Sequence, residues 1–321
     1  MTLLQYYKYT LSHISQYDHT VIQYRYMNSK NIVIGILVLV LIGAISYLLL
    51  NNGGDTTVVV EKPTSDEILP VEPDEGIGDG ATPIEEVEMM EREDETNIGT
   101  SVNGDDITAY HFGTGDTEVL LVGGTHGSYS PNTSALANEA VEYFQANPDT
   151  IPEGVMLTII PNLNPDGLAM TGTQGRFNVN NVDLNRNFDC EWSAEGVWRD
   201  QKVSGGSSVF SEPEAQALRN YVETYDPNAA IVLFSAEGKV YPSACEKVPN
   251  NASVEMAATY ATAAGYPAEA TFDAYPITGD MVNWMAKQGI PAISVLLTDY
   301  KNTEWTKNKA GIEAVLKAYA E

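Results

Sequence analysis

The sequence predicts an α/β fold, with a mixed, largely parallel central sheet and helices on both faces, preceded by one N-terminal transmembrane helix. Three observations carry this prediction. Short apolar runs are bounded by turn residues, helical periodicity fills the stretches between them, and residues 32–50 form a separate run of nineteen uncharged positions. Strands alternating with helices are the pattern of a parallel sheet, because each crossover must return over a sheet face.

Taken in order, residues 1–31 are rich in Tyr and carry Lys8, Arg25 and Lys30. Met27 opens the stretch MNSKNIVIG, so the first 26 residues read either as a short cytoplasmic tail or as a mis-called start. Residues 32–50, IVIGILVLVLIGAISYLLL, come close to spanning a hydrocarbon core of about 30 Å at about 1.5 Å per residue. A buried core helix of this length would ordinarily show a polar face. A cleaved leader would have a shorter apolar run and a small-x-small site, whereas Asn51-Asn52-Gly53-Gly54 follows here. The span therefore reads as a signal anchor that stays. Basic residues before it and acidic ones after it place the N-terminus in the cytoplasm and the remainder outside, as a single-pass membrane protein.

Residues 51–105 read as an acidic disordered tether. From 51 to 106 there are seventeen Asp and Glu against only Lys62 and Arg92, with scattered Pro and Gly, so the segment repels itself and buries little. Residues 106–321 then hold the folded domain. Val119 to Gly123, Val155 to Ile160, Ile231 to Phe234 and Ile293 to Leu297 are buried-strand runs. Asn132 to Asn147 is helical through Leu136, Ala140, Val141 and Phe144, and stops at Pro148. Ser211-Glu212-Pro213-Glu214 has the form of a capping box opening a second helix. Gly113-Thr114-Gly115-Asp116 reads as the turn of a hairpin.

A net charge of −27 excludes nucleic acid as a partner, since phosphates need Lys and Arg to displace their counterions. Two cysteines, Cys190 and Cys245, make no disulfide framework and no Cys-x-x-Cys pair. Both follow strand ends expected on one face, so one bridge suited to an oxidising exterior and two buried thiols both stay open.

Ligand sites in such sheets lie beyond the carboxyl ends of the strands. One end reads Gly123-Gly124-Thr125-His126-Gly127, which presents His126 at a strand tip. Another stretch reads Asn164-Pro165-Asp166-Gly167, then Arg176-Phe177-Asn178, then Val182-Asp183-Leu184-Asn185-Arg186-Asn187-Phe188. In order and spacing these motifs resemble the carboxypeptidase A-like zinc metallopeptidases, and the resemblance covers about Asp106 to Glu321.

The resemblance implies the zinc-carboxypeptidase fold, and a zinc held by a His-x-x-Glu turn and a later His, with a Glu near the C-terminus activating the metal-bound water. Such sites use three protein ligands and leave the fourth position for water. Here only His126 matches a ligand position. Tyr129 stands at the Glu ligand, Phe234 at the second His and Leu296 at the general base. His111 lies most of a strand away and cannot substitute, while Glu237 is the one nearby carboxylate that offers a substitute ligand. The resemblance assigns carbonyl polarisation to Arg176, the grip on a substrate's C-terminal carboxylate to Asn185 and Arg186, and closure over it to Tyr275. It places Val282 where side-chain preference is set. The alternative for Asp183 and Arg186 is that they pair with each other or with backbone at a crowded loop.

The expectation is thus an extracytoplasmic module that binds peptide C-termini or cell-wall stem peptides without cutting them, with no cofactor. The alternatives are an active zinc carboxypeptidase with a rearranged site, which would need zinc, and a purely structural surface domain. Membrane attachment runs through residues 32–50. Protease added outside intact cells should remove everything after the tether; protection of the folded domain, read on an immunoblot, would reverse the orientation.

Overall fold

The computed structural model describes residues 92–320. The predicted membrane span and most of the tether lie outside them, and among the described residues no helix is long and apolar enough to cross a membrane.

Nine strands are present: β1 (Glu95–Thr100), β2 (Asp106–Phe112), β3 (Thr117–Val122), β4 (Val155–Ile160), β5 (Glu195–Trp198), β6 (Gln201–Ser204), β7 (Ala229–Ser235), β8 (Lys239–Pro242) and β9 (Ala292–Leu297). The helices are α1 (Pro131–Ala146), α2 (Pro165–Ala169), α3 (Pro213–Tyr225), α4 (Asn251–Ala264), α5 (Met281–Lys287) and α6 (Trp305–Ala320). Seven strands make one sheet in the order β1-β2-β4-β3-β7-β9-β8, while β5 and β6 form a separate ribbon. The centre, β4-β3-β7-β9, is parallel, and the outer strands on both sides are antiparallel.

Helices cover both faces because the central strands are apolar at most positions on either side, as a sheet buried on two sides requires. Val119 and Leu121 of β3, with Ile231 and Leu233 of β7, share a core with Leu136 and Phe144 of α1, Tyr260 of α4 and Ile312 of α6. Leu120, Val122, Ala230 and Val232 turn to the other face, against Leu218 of α3 and Trp284 of α5. This is the predicted mixed α/β architecture.

Three local expectations are corrected. Gly113–Asp116 does not turn a hairpin, since β4 lies between β2 and β3 and pairs with both. The tether ends earlier than residue 105: β1 pairs antiparallel with β2, its polar and small residues lying on an open edge that sequence alone reads as linker. Ser211 is not a helix cap. Glu212 holds that position without a side-chain bond to the helix, and Glu214 is drawn away to the backbone N–H of Val102 and the amide of Asn178.

Under the β1–β2–β4 edge lies a buried polar chain. Glu118 accepts from Arg92 at 2.8 Å and from the hydroxyls of Thr158 and Tyr221 at 2.5 Å each. His111 joins it through Nδ1 to Thr158 at 3.0 Å and through Nε2 to Thr96 at 3.1 Å. Burial first, and Arg92 second, push the His111 imidazole below its ordinary value near 6.5, against the upward pull of Glu118. The unfolded chain therefore binds the extra proton first, so stability present above pH 6.5 is lost as pH falls below it. Urea unfolding should show a lower midpoint at about pH 5 than at about pH 7.5, and His111→Gln should reduce that difference; an unchanged difference would clear His111 of the role.

Candidate functional site

At the carboxyl end of β3 the chain turns through Gly124, whose φ is +68° and where a Cβ would lie 2.5 Å from Asn162 Oδ1. A bare backbone is required there. The turn delivers His126 beneath the 3₁₀ turn Leu184–Arg186, which the side chain of Asp183 caps by accepting from the N–H of Asn185.

Asp183 is the hub of the site and is wholly buried. Its Oδ1 receives His126 Nε2 at 3.2 Å, and its Oδ2 receives Arg176 Nε and Nη2 at 3.1 and 2.7 Å. Burial alone would raise this carboxyl, but Arg176, then Arg186 and His126, hold it well below the usual carboxylate range. His126 moves the other way: burial, aided by Arg176, pushes its imidazole down to about 4 against the pull of Asp183. An ionised carboxylate only accepts, so the neutral imidazole donates from Nε2 and keeps its lone pair on Nδ1.

Arg176 is further enclosed by aromatic faces, with its guanidinium carbon 4.3 Å from the Trp198 ring centre and 5.6 Å from that of Tyr129. Arg186 is also buried. It donates Nε and Nη2 to the Val197 carbonyl at 3.1 and 2.9 Å, and Nη1 to the Asn185 carbonyl at 2.6 Å. Asn185 holds the start of α5, its Oδ1 accepting from Met281 N–H at 3.0 Å and its Nδ2 donating to Asp280 at 2.8 Å. Tyr275 stands over Arg186, which is 6.0 Å from its ring centre.

These residues converge. His126, Arg176, Asn185, Arg186, Tyr275, Phe234 and Leu296 all line one cavity of about 750 Å³. Val282 does not; it is buried in the core with Met281 and Trp284. Cys190 and Cys245 are joined in a disulfide, which ties the cavity-lining stretches at Glu191 and Ala244 to each other.

The donor set does not fit zinc. Phe234 and Leu296 face each other in register on β7 and β9, an apolar pair, and the Phe234 ring lies 5.6 Å from that of His126. Tyr129 donates its hydroxyl to Tyr300 at 3.1 Å, and burial, with that bond, pushes its phenol up to about 12, so its oxygen stays protonated. Glu237 accepts from Tyr241 at 2.6 Å instead of reaching the cavity. Among the described residues no three His, Cys, Asp or Glu side chains group as metal ligands.

Residues 91–320 match the zinc carboxypeptidase family. The chain belongs to that family. Carboxypeptidase D of Anas platyrhynchos is 31% identical over 123 residues, covering 35% of this chain but 8% of that protein. Carboxypeptidase B of Astacus astacus is 26% identical over 157 residues, 43% of this chain and 52% of the relative, and murein peptide amidase A of Escherichia coli K12 is 29% identical over 185, or 54% and 69%. This carboxypeptidase-family chain thus spans about half or less of the length of the first two relatives. Among solved structures, carboxypeptidase A from Helicoverpa armigera superposes with a TM-score of 0.60 at 19% identity, over 70% of this chain and 68% of that one. Murein-tripeptide amidase from Escherichia coli O157 gives 0.52 at 19%, over 72% and 93%. Both share the fold.

Sequence reasoning named the cavity's arginines and allowed Arg186 a backbone partner, as observed, but it paired Asp183 with Arg186 rather than Arg176 and did not name Val197 or Trp198. Trp198 and the Val197 carbonyl belong to a four-residue strand too short for periodicity to announce, and a carbonyl acceptor has no sequence signature. Asp280 was readable, since Gly-Asp before an apolar helical stretch is a cap signal; its carboxylate accepts from Asn283 N–H at 2.9 Å.

Removing the Asp183 carboxylate leaves Arg176 buried without compensation. Asp183→Ala should therefore destabilise the domain by roughly 3–5 kcal/mol in urea unfolding; a loss below about 1 kcal/mol would mean the pair is not the hub.

Proposed function

We propose that this domain is a catalytically inactive carboxypeptidase relative that binds the free C-terminus of a peptide, or of a cell-wall stem peptide, outside the membrane that residues 32–50 span. The observation that carries the reading is an uneven replacement. The three positions where the family places a ligand or the general base hold Tyr129, Phe234 and Leu296, while Arg176, Asn185, Arg186 and Tyr275 still surround one cavity. Without a metal-bound water of lowered pKa, and without a carboxylate to take its proton, the two largest contributions to hydrolysis are missing together. Recognition of a carboxylate needs neither, because a guanidinium meets it with charge-assisted hydrogen bonds. The peptide part of the reading is supported by the relatives named for peptides, including murein peptides. The bonds from Arg186 to two backbone carbonyls favour the rival reading, a structural domain with no ligand.

Calorimetry on the full-length chain, with a short leucine peptide as free acid and as C-terminal amide, decides between them. The free acid should bind and the amide bind far more weakly. Arg186→Lys, which keeps the charge but lacks the planar fork, should weaken the acid by about tenfold and leave the amide unchanged. Equal binding of acid and amide would make the cavity structural only. One zinc per chain by elemental analysis, together with release of the terminal residue, would establish the active enzyme instead.

A further inference from the structure

We infer that the β5–β6 ribbon is a positioning element for Arg186, with Gly196 as the residue on which the placement turns. The inference rests on the cavity being a carboxylate receptor, and concerns how its guanidinium is aimed.

A guanidinium has five N–H donors in a rigid plane. Arg186 uses Nε–H and one Nη2–H on a single acceptor, the Val197 carbonyl, at 3.1 and 2.9 Å. Two donors can share one oxygen that way only along the side of the plane where Nε and Nη2 are neighbours. Nη1 spends one N–H on the Asn185 carbonyl. The N–H left on Nη2 then points along the end of the plane, beside Nη1. Arg186 lines the cavity, so this N–H and the second N–H of Nη1 are the donors it can offer a carboxylate. The Val197 carbonyl takes the side and leaves the end.

The carbonyl is held where it is by the ribbon's own attachments. Val197 pairs with Lys202 across the ribbon, and the Ser204 carbonyl accepts from Asp183 N–H at 3.0 Å. Trp198, the next residue, lies on Arg176. Consecutive residues of β5 therefore fix both arginines, one by a carbonyl and the other by an indole face.

Gly196 completes the device by carrying no side chain. A Cβ there would sit 3.0 Å from Arg186 Cδ, 3.1 Å from Cγ and 3.5 Å from Nε. It would press on the stem and shift the guanidinium by a few tenths of an ångström. Nothing in the backbone asks for glycine here: Gly196 has no positive φ and pairs with Val203 in the ribbon. A side chain at such a position ordinarily favours the strand.

Stability and affinity should therefore move apart. In the full-length chain, Gly196→Ala should weaken binding of the free-acid leucine peptide by roughly threefold and Gly196→Val by roughly tenfold, as one of two charge-assisted bonds is progressively misaligned. The amide's affinity should not change, and the melting temperature should hold or rise. Lys202→Ala, an exposed change on the same ribbon, should alter neither. Wild-type affinity in both Gly196 variants, or tighter binding, would overturn the inference, the latter by showing that the ribbon competes with the ligand. A lowered melting temperature with equal loss for acid and amide would overturn it too, as a purely structural effect. If the wild-type chain itself fails to distinguish acid from amide, the receptor reading falls first.

Discussion

The Asp183 carboxylate sets the terms for everything around the cavity. A buried anion is tolerated only where opposite charge and hydrogen bonds replace the water it has lost. Here Arg176 supplies the charge through two N–H donors, His126 a third donor, and the Asn185 backbone a fourth. These groups come from three separate stretches: the tip of β3, the turn ending at Arg176 and the turn Leu184–Arg186. One carboxylate thus locks together loops that would otherwise be free to move independently. It also orients the imidazole, which burial and Arg176 keep neutral against the pull of the carboxylate.

The same hub divides the two arginines by role. Arg176 has its charge matched by Asp183 and its faces covered by Trp198 and Tyr129, so little of it is left for an external partner. Among the described residues no carboxylate lies within ion-pair distance of Arg186; its bonds go to neutral carbonyls. A neutral acceptor orders a guanidinium without neutralising it, so Arg186 still has a positive charge to offer at the cavity wall.

The distribution of signal in the sequence follows from these physics. Strands buried on both faces must be largely apolar on both, which is why β4 was legible residue by residue and β7 and β9 to within a residue or two. Loop residues that resemble a known site, such as Asp183 and Arg186, were legible as motif. The edge was not: β1 hides its pairing behind Glu95 and polar or small residues that an open strand can show to water. Nor was the capping of α3, because Ser211 and Glu214 have the right spacing but Glu214 finds stronger competition from Val102 and Asn178. Local pattern predicts a cap only where no tertiary partner outbids the helix end for the side chain.

Phe234 and Leu296 are best understood as one change rather than two. They are register partners on neighbouring parallel strands and both line the cavity, with the Phe234 ring against His126. A carboxylate at the half-buried position 296, in the absence of a metal, would add an anion to a cavity lining whose Arg176 is already engaged by Asp183. It would lose part of its hydration without the four donors that compensate Asp183. A second imidazole at 234 would likewise need an acceptor that the aliphatic neighbour cannot provide. On the proposed reading, each apolar residue removes the difficulty that a polar one would meet beside the other. The inner floor can then be dry while the wall that carries Arg186 remains charged.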